Sequence, residues 1–360
     1  MISRRTLLAA GAAGLVTPGL MTPGAAQPQS LGALAAASGL VFGSAAASYE
    51  FRDADFPPLL AREARMLVPE YEMNRHVVEA KPGVYDFSGI DTLLAFAQAH
   101  GMGFRGHPLI WYAANPPWLE DAVLTRRDPR LLTDYVTALA GRYRGRMQSH
   151  DVVNEALAQD GSGLRQTFWL KAFGPSYIDM AFHAARAADP TALLAYNDYG
   201  CEAGTAAADR LRGNCLKLLD GLIARGAPVQ AFGLQAHLAA FGDKVDQKKL
   251  RTFLDEIAAR GLALLVTELD VNDEDGSLNP AIRDQAVADE AARFLDVVLD
   301  RRDLKTLLTW GLSDRYADPP DSLKLKMLGF RYRRFPYDAA LRPKPLRTVL
   351  ARAFSARRRA

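Results

Sequence analysis

Two apolar runs set the pattern for the whole chain. His150-Asp151-Val152-Val153-Asn154-Glu155-Ala156 starts as a buried strand and finishes on an amide beside a carboxylate. Ala263-Leu264-Leu265-Val266-Thr267-Glu268-Leu269-Asp270, far downstream, has the same form. Both read as interior parallel strands, apolar on both faces. A carboxylate at such a strand end costs several kcal/mol unless it is hydrogen-bonded or opens on a cleft. Any one strand can end on an acid where it meets water. The pattern gains weight because it recurs.

Other apolar runs of strand length lie at 40–45, 66–70, 104–111, 192–199, 229–237 and 305–311. Between them, helical spacing predicts helices at 90–99, 131–144, 177–188, 206–225, 248–260 and 281–299, with a last one at 345–354. Gly101, Gly226 and Gly261 stand where a helix C-terminus favours glycine. A β–α alternation of this length implies parallel strands with right-handed crossovers, and eight of them close into a barrel. The fold class expected is α/β, a single (β/α)8 TIM barrel. No Pro-, Ser- or Gly-rich linker interrupts it, so one catalytic-sized domain is expected over 39–360.

The first residues stand apart. Arg4-Arg5 precedes an Ala/Leu/Gly run and a small-x-small site at Gly24-Ala25-Ala26. Residues 1–26 read as an export signal of the twin-arginine type, and 27–38 as a linker. The competing reading, a basic start before a membrane anchor, needs a longer apolar run. Periplasmic or secreted localisation is the expectation, with no membrane partner after signal removal. Formal net charge is +3, about +1 without Arg4 and Arg5, which gives no reason to expect nucleic acid. An apolar fraction of 49% with 24% charged residues suits a soluble protein with a large core, and a monomer is expected. The two cysteines, Cys201 and Cys215, are too few for a disulfide framework, and Cys215 falls on an apolar helical stripe as a buried thiol would. The six histidines show no ligand spacing, so no metal is expected.

The strand ends carry Glu70; His107 with Trp111; Asn154 with Glu155; Asn197 with Tyr199; Gln235 with His237; Glu268 with Asp270; and Trp310. Barrel sites form at that rim from several strands at once. Two acids, several amides and histidines, and flat indoles suit sugar cleavage: acids for proton transfer and attack, amides for hydroxyls, rings for pyranose faces. A lone rim histidine is more often structural and a lone tryptophan more often core, so the argument rests on the set.

That set resembles glycoside hydrolase family 10, the endo-1,4-β-xylanases. The resemblance is carried by Gly106-His107-Pro108-Leu109-Ile110-Trp111, Asp151-Val152-Val153-Asn154-Glu155-Ala156, Tyr196-Asn197-Asp198-Tyr199, Gly233-Leu234-Gln235-Ala236-His237-Leu238, Thr267-Glu268-Leu269-Asp270-Val271, Trp310-Gly311-Leu312-Ser313-Asp314 and Arg342-Pro343-Lys344-Pro345. It runs through nearly all of the chain after the leader, in the family's order. It implies hydrolysis of xylan with retention, Glu155 as acid/base and Glu268 as nucleophile, without a cofactor. Retention places the two carboxyls about 5–5.5 Å apart. The resemblance also implies that His237 and Asp270 orient the nucleophile, that Asn154 holds the 2-hydroxyl, and that Gln235 bonds near the same carboxylate or the sugar. His107, Trp111 and Trp310 would form the donor pocket with Glu70, and Asn197 and Tyr199 would lie toward the acceptor side.

The departures from the family pattern cluster after strand two. Members usually carry Glu-Asn-x-Met-Lys-Trp there, whereas this chain has Glu70-Tyr71-Glu72-Met73-Asn74-Arg75. Tyr112 replaces a frequent histidine, and 314–319 lacks a second tryptophan often found there. Losing sugar contacts worth on the order of 1 kcal/mol each would weaken or alter the second donor subsite without changing the reaction. Two other readings stay open at this point. One is a retaining hydrolase of the same fold acting on another β-glycan or on short decorated xylo-oligosaccharides. The other is a non-catalytic glycan-binding barrel, which has no need of both acids.

Overall fold

In the computed structural model, which describes residues 29–357 apart from 275 and 321, the alternation becomes a closed barrel. The strands are β1 (Val41–Ala46), β2 (Met66–Pro69), β3 (Gly103–Phe104), β4 (Ser149–Asn154), β5 (Leu193–Asp198), β6 (Ala231–Leu234), β7 (His237–Ala239), β8 (Ala263–Asn272) and β9 (Leu304–Thr309). They pair in parallel in the order β3-β2-β1-β9-β8-β6-β5-β4, and the short β7 pairs with β8 beyond the rim. The two ends of this path meet. Bridges Gly106–His150 and Ile110–Val153 join the chain after β3 to β4. There the Gly106 N–H donates to Ser149 O at 2.9 Å and the Leu109 N–H to Asp151 O at 2.9 Å.

Side chains alternate across the sheet as strand geometry demands. Phe42, Leu67, Leu194, Tyr196, Phe232, Leu264, Val266 and Leu307 face outward into the main core against the helices. Ala45, Met66, Val68 and Leu308 fill the barrel on one side, and Ala195, Ala231 and Leu265 on the other. Fully burying one such large outward side chain stabilises the fold by about 1.5–3 kcal/mol. The outer helices include Ser88–Ala99, Arg130–Arg142, Ser176–Ala188, Ala206–Ala224, Gln247–Ala259, Pro280–Val298 and Pro345–Ala356, within two residues of the predicted ends.

Three expectations need correction. The segment 27–38 is not a free linker. Leu31–Ala37 is a helix that starts on Ser30, whose hydroxyl accepts from the Ala33 N–H at 3.2 Å. It packs on the 345–356 helix, and its Leu31 N–H donates to the buried Glu63 at 2.9 Å. Alanine is the strongest helix former, and an Ala-rich stretch with an apolar stripe finds its partner there. The folded domain therefore begins near residue 30 rather than 39. The strand predicted at 104–111 pairs regularly only at Gly103–Phe104, because Pro108 has no N–H to give a ladder. The run predicted at 229–237 splits at the left-handed Ala236 (φ 65°) into β6 and β7.

Cys201 and Cys215 are both buried and form no disulfide. Among the described residues no helix is long and apolar enough to cross a membrane. The predicted leader, 1–26, lies outside the described residues.

Candidate active site

The inward face of the barrel changes from apolar to polar at its C-terminal mouth. Two residues beyond Ala195 on β5 stands Asn197, and two beyond Leu265 on β8 stands Thr267, both completely buried. The Thr267 hydroxyl donates to Asn197 Oδ1 at 2.8 Å. Asn197 Nδ2 then donates both to Asn154 Oδ1 at 2.9 Å and to Glu268 Oε1 at 2.6 Å. Gly233 faces this amide from β6, where any side chain would collide with Asn197 Oδ1. Glycine is required there by close approach.

Glu155 hangs from the other end of the same bridge. Asn154 Nδ2 and Gln235 Nε2 each donate to its Oε1 at 3.2 Å, and Gln235 Nε2 also donates to Asn154 Oδ1 at 3.0 Å. The indole N–H of Trp111 donates to Oε2 at 2.9 Å. The β4 ladder slips register between Asp151 and Val153, and Glu155 itself is left-handed at φ 57°. A bulge re-aims the side chains that follow it, and a left-handed non-glycine residue stores about 1 kcal/mol or more. Glu155 retains 8% exposure and Glu268 only 3%, so both acids sit deep and reach the surface at a narrow opening.

The second oxygen of Glu268 meets His237 Nε2 at 3.2 Å, while His237 Nδ1 meets Asp270 Oδ1 at 2.8 Å. Arg334 closes the row on Asp270 Oδ2 at 3.1 Å. Burial pushes His237 down, but Asp270 and Glu268 outweigh it and hold the imidazole well above its usual range. Asp270 is likewise pushed up by burial and drawn lower, overall, by His237 and Arg334. A charged His237 donates from both nitrogens and so fixes the orientation of Glu268.

A parallel row supports His107. Its Nδ1 lies 2.8 Å from Asp151 Oδ2 and 3.6 Å from Glu268 Oε1. Arg105 grips both oxygens of Asp151, at 2.9 and 2.5 Å, entirely inside the protein. Burial opposes the charge on His107, yet Glu268 and Asp151 raise it overall. His107, Asp151 and Glu268 have the donor types of a cation site, with ligand atoms within 4.8 Å of one another. The guanidinium already occupies the Asp151 carboxylate, so the cluster is complete as an ion-paired row and does not fit a metal. The Trp310 ring meets His107 edge-on at 5.0 Å and His237 at 6.5 Å, which makes it a floor under both rows.

Catalytic candidates Glu155 and Glu268, orienting candidates His237 and Asp270, and His107, Trp111, Asn154, Gln235 and Trp310 all meet in one hydrogen-bonded and ring-packed constellation. Asn197 belongs to it in a different place than expected. Its exposure is zero and its amide is fully used beneath the two acids, so it cannot line the acceptor wall. The Tyr199 ring lies 6.3 Å from His237, and the two line one cleft. Glu70 stands apart at the rim. Burial, then Asp318 and Glu72, push its carboxyl up to about 8.

The departures near Glu70 divide. Tyr71 is 48% exposed, and its hydroxyl lies 2.9 Å from His76 Nε2. Arg75 turns inward, buried against Glu79 at 2.8 Å. Tyr112 lies under the guanidinium of Arg165 at 4.3 Å. Sequence reasoning missed Thr267, Arg334, Arg165 and the Arg105–Asp151 pair. Opposite charges inside two apolar strands, each just ahead of a site residue, were the available signal for the last.

Fold and site together define a (β/α)8 barrel with a paired-carboxylate, sugar-type mouth. Comparison with known proteins narrows this. The sequence model of glycosyl hydrolase family 10 matches residues 30–353, and the chain belongs to that family. It is similar to endo-1,4-beta-xylanase B of Paenibacillus barcinonensis, 32% identical over 274 residues, 72% of this chain and 80% of the relative. Endo-1,4-beta-xylanase B of Thermotoga neapolitana is 29% identical over 73% of this chain and 74% of its own. Among solved structures, native xylanase 10B from Thermotoga maritima superposes with a TM-score of 0.78 at 27% identity, covering 90% of this chain and 98% of that one.

Proposed function

We propose that this chain is an endo-acting β-1,4-xylanase that cleaves xylan by double displacement with retention. Glu268, held by Asn197 on one oxygen and His237 on the other, attacks the anomeric carbon. Glu155 protonates the departing oxygen, then withdraws a proton from the water that releases the sugar. The Asn154–Asn197 amide bridge is the observation that carries this reading, because it ties the two acids to one rigid support at the mouth. Two carboxyls and a water complete the chemistry, so no cofactor is invoked. Asn154, Trp111, His107 and Trp310 surround the sugar undergoing reaction, and Tyr199 faces the leaving side.

Products from xylan, mixed-linkage glucan and cellulose, compared side by side, test the substrate. Short xylo-oligosaccharides released from xylan support the proposal; release only from a glucan favours the same-fold alternative. Should the parent protein hydrolyse none of them while binding xylan, the chain is a glycan-binding barrel. Export by the Arg4-Arg5 leader as a monomer belongs to the same proposal. Replacing both arginines by lysine is expected to trap the protein in the cytoplasm, and size-exclusion chromatography checks its mass.

A further inference from the structure

Behind the acid/base candidate lies a buried charge the mechanism above does not use. Arg75 occupies the position where the family usually has tryptophan, and only 6% of it is exposed. Its Nε and Nη2 bond Glu79 at 2.9 and 2.8 Å. Its guanidinium lies 4.1 Å from the Tyr135 ring centroid, 5.7 Å from Trp118 and 5.9 Å from Trp169. The Trp169 indole N–H donates to the Trp111 carbonyl at 3.2 Å, and the Trp111 indole N–H holds Glu155. Asn74, Arg75, Trp111 and Trp169 line a cavity of only about 10 Å³, room for at most one water. Packing this close transmits a displacement rather than absorbing it.

We propose that Arg75 is a positioning residue for the acid/base: through Trp169 and Trp111 it sets where the Glu155 carboxyl stands. The proposal rests on the assignment of Glu155 as acid. A planar guanidinium is suited to the task because it satisfies Glu79 at its edge while its faces pack on rings, a combination that lysine cannot reproduce.

The test uses the leaving-group dependence of kcat/KM, which reports the first displacement. Phenyl β-xylobioside needs a proton on its leaving oxygen; 2,4-dinitrophenyl β-xylobioside does not. Arg75→Lys, and Arg75→Met combined with Glu79→Gln so that no charge is left buried alone, are compared with the parent. Circular dichroism and melting establish that both variants fold. Misplaced acid catalysis is expected to cost about tenfold on the phenyl substrate, less for lysine than for methionine, and under twofold on the dinitrophenyl one. The alkaline limb of the phenyl profile, which the proton donor sets, should move as well. Equal losses on both substrates, or none on either, would overturn the proposal. Glu155→Gln is the control. If it shows the phenyl-selective loss and the Arg75 variants do not, only this proposal fails; if it does not, the assignment of Glu155 fails first.

Discussion

The catalytic layer and the donor rim lie within one mouth, yet they treat charge in opposite ways. In the layer every carboxylate has donors or cations on both sides: Asp151 between Arg105 and His107, Asp270 between His237 and Arg334, Glu268 between Asn197 and His237. At the rim, Glu70 and Glu50 are both raised, first by burial and then by neighbouring acids, and Glu72 Oε2 has no hydrogen-bond partner among the described residues. Tyr49 and Tyr71 stand 45% and 48% exposed beside them. The layer is finished before any sugar arrives, which is what catalysis by preorganisation requires. Burial and like charge favour the protonated forms of Glu70 and Glu50 there, where the family usually places a lysine.

The largest way to break that contrast is to remove a reacting acid. Glu268→Gln should lower kcat on xylan by about ten-thousand-fold with little change in melting temperature, since catalytic groups acting as a unit are lost together. Next comes Asp151→Asn, which leaves Arg105 buried beside a neutral amide. Chemical denaturation should show a loss of about 3–5 kcal/mol, as expected when one partner of a buried pair is removed. At the rim, Tyr71→Asn with Asn74→Lys restores the usual family residues. A few-fold lower KM for linear xylo-oligosaccharides at unchanged kcat is expected, about 1 kcal/mol of binding.

The last effect is in pH. The Glu70 carboxyl titrates near 8 in the folded protein against an ordinary 4.5, so the folded state holds the proton more tightly. Stability therefore falls as pH rises from 4.5 to 8, in the sense required by linkage. Melting curves of Glu70→Gln and the parent should coincide below pH 4.5 and separate in favour of the variant up to pH 8. Parallel curves would mean that burial and the neighbouring acids do not raise Glu70 as described.

Much of the fold was legible because buried parallel strands are apolar runs of fixed length and amphipathic helices carry a visible stripe. What escaped has physical causes. The helices Phe56–Glu63 and Pro117–Arg126 open on prolines that imitate loop signals, and Leu31–Ala37 is apolar only in relation to a partner more than 300 residues away. The site residues were readable as a set because they lie at strand ends. Their roles were less so. A register slip in β4 and left-handed Glu155 and Ala236 decide which side chains face the sugar, and neither is written in residue spacing. Asn197 reads the same whether it lines a wall or lies beneath two acids. Arg75, a charge in an aromatic pocket, read only as one of the departures at the second donor subsite.

The central claim is a covalent sugar on Glu268. Incubation of the protein with 2,4-dinitrophenyl 2-deoxy-2-fluoro-β-xylobioside, followed by peptide mass spectrometry, tests it directly. One label per chain on the peptide carrying Glu268, with activity lost in step, is the result expected. A label on any other carboxylate, or turnover of xylobiosides with inversion at the anomeric carbon and no label, would contradict it.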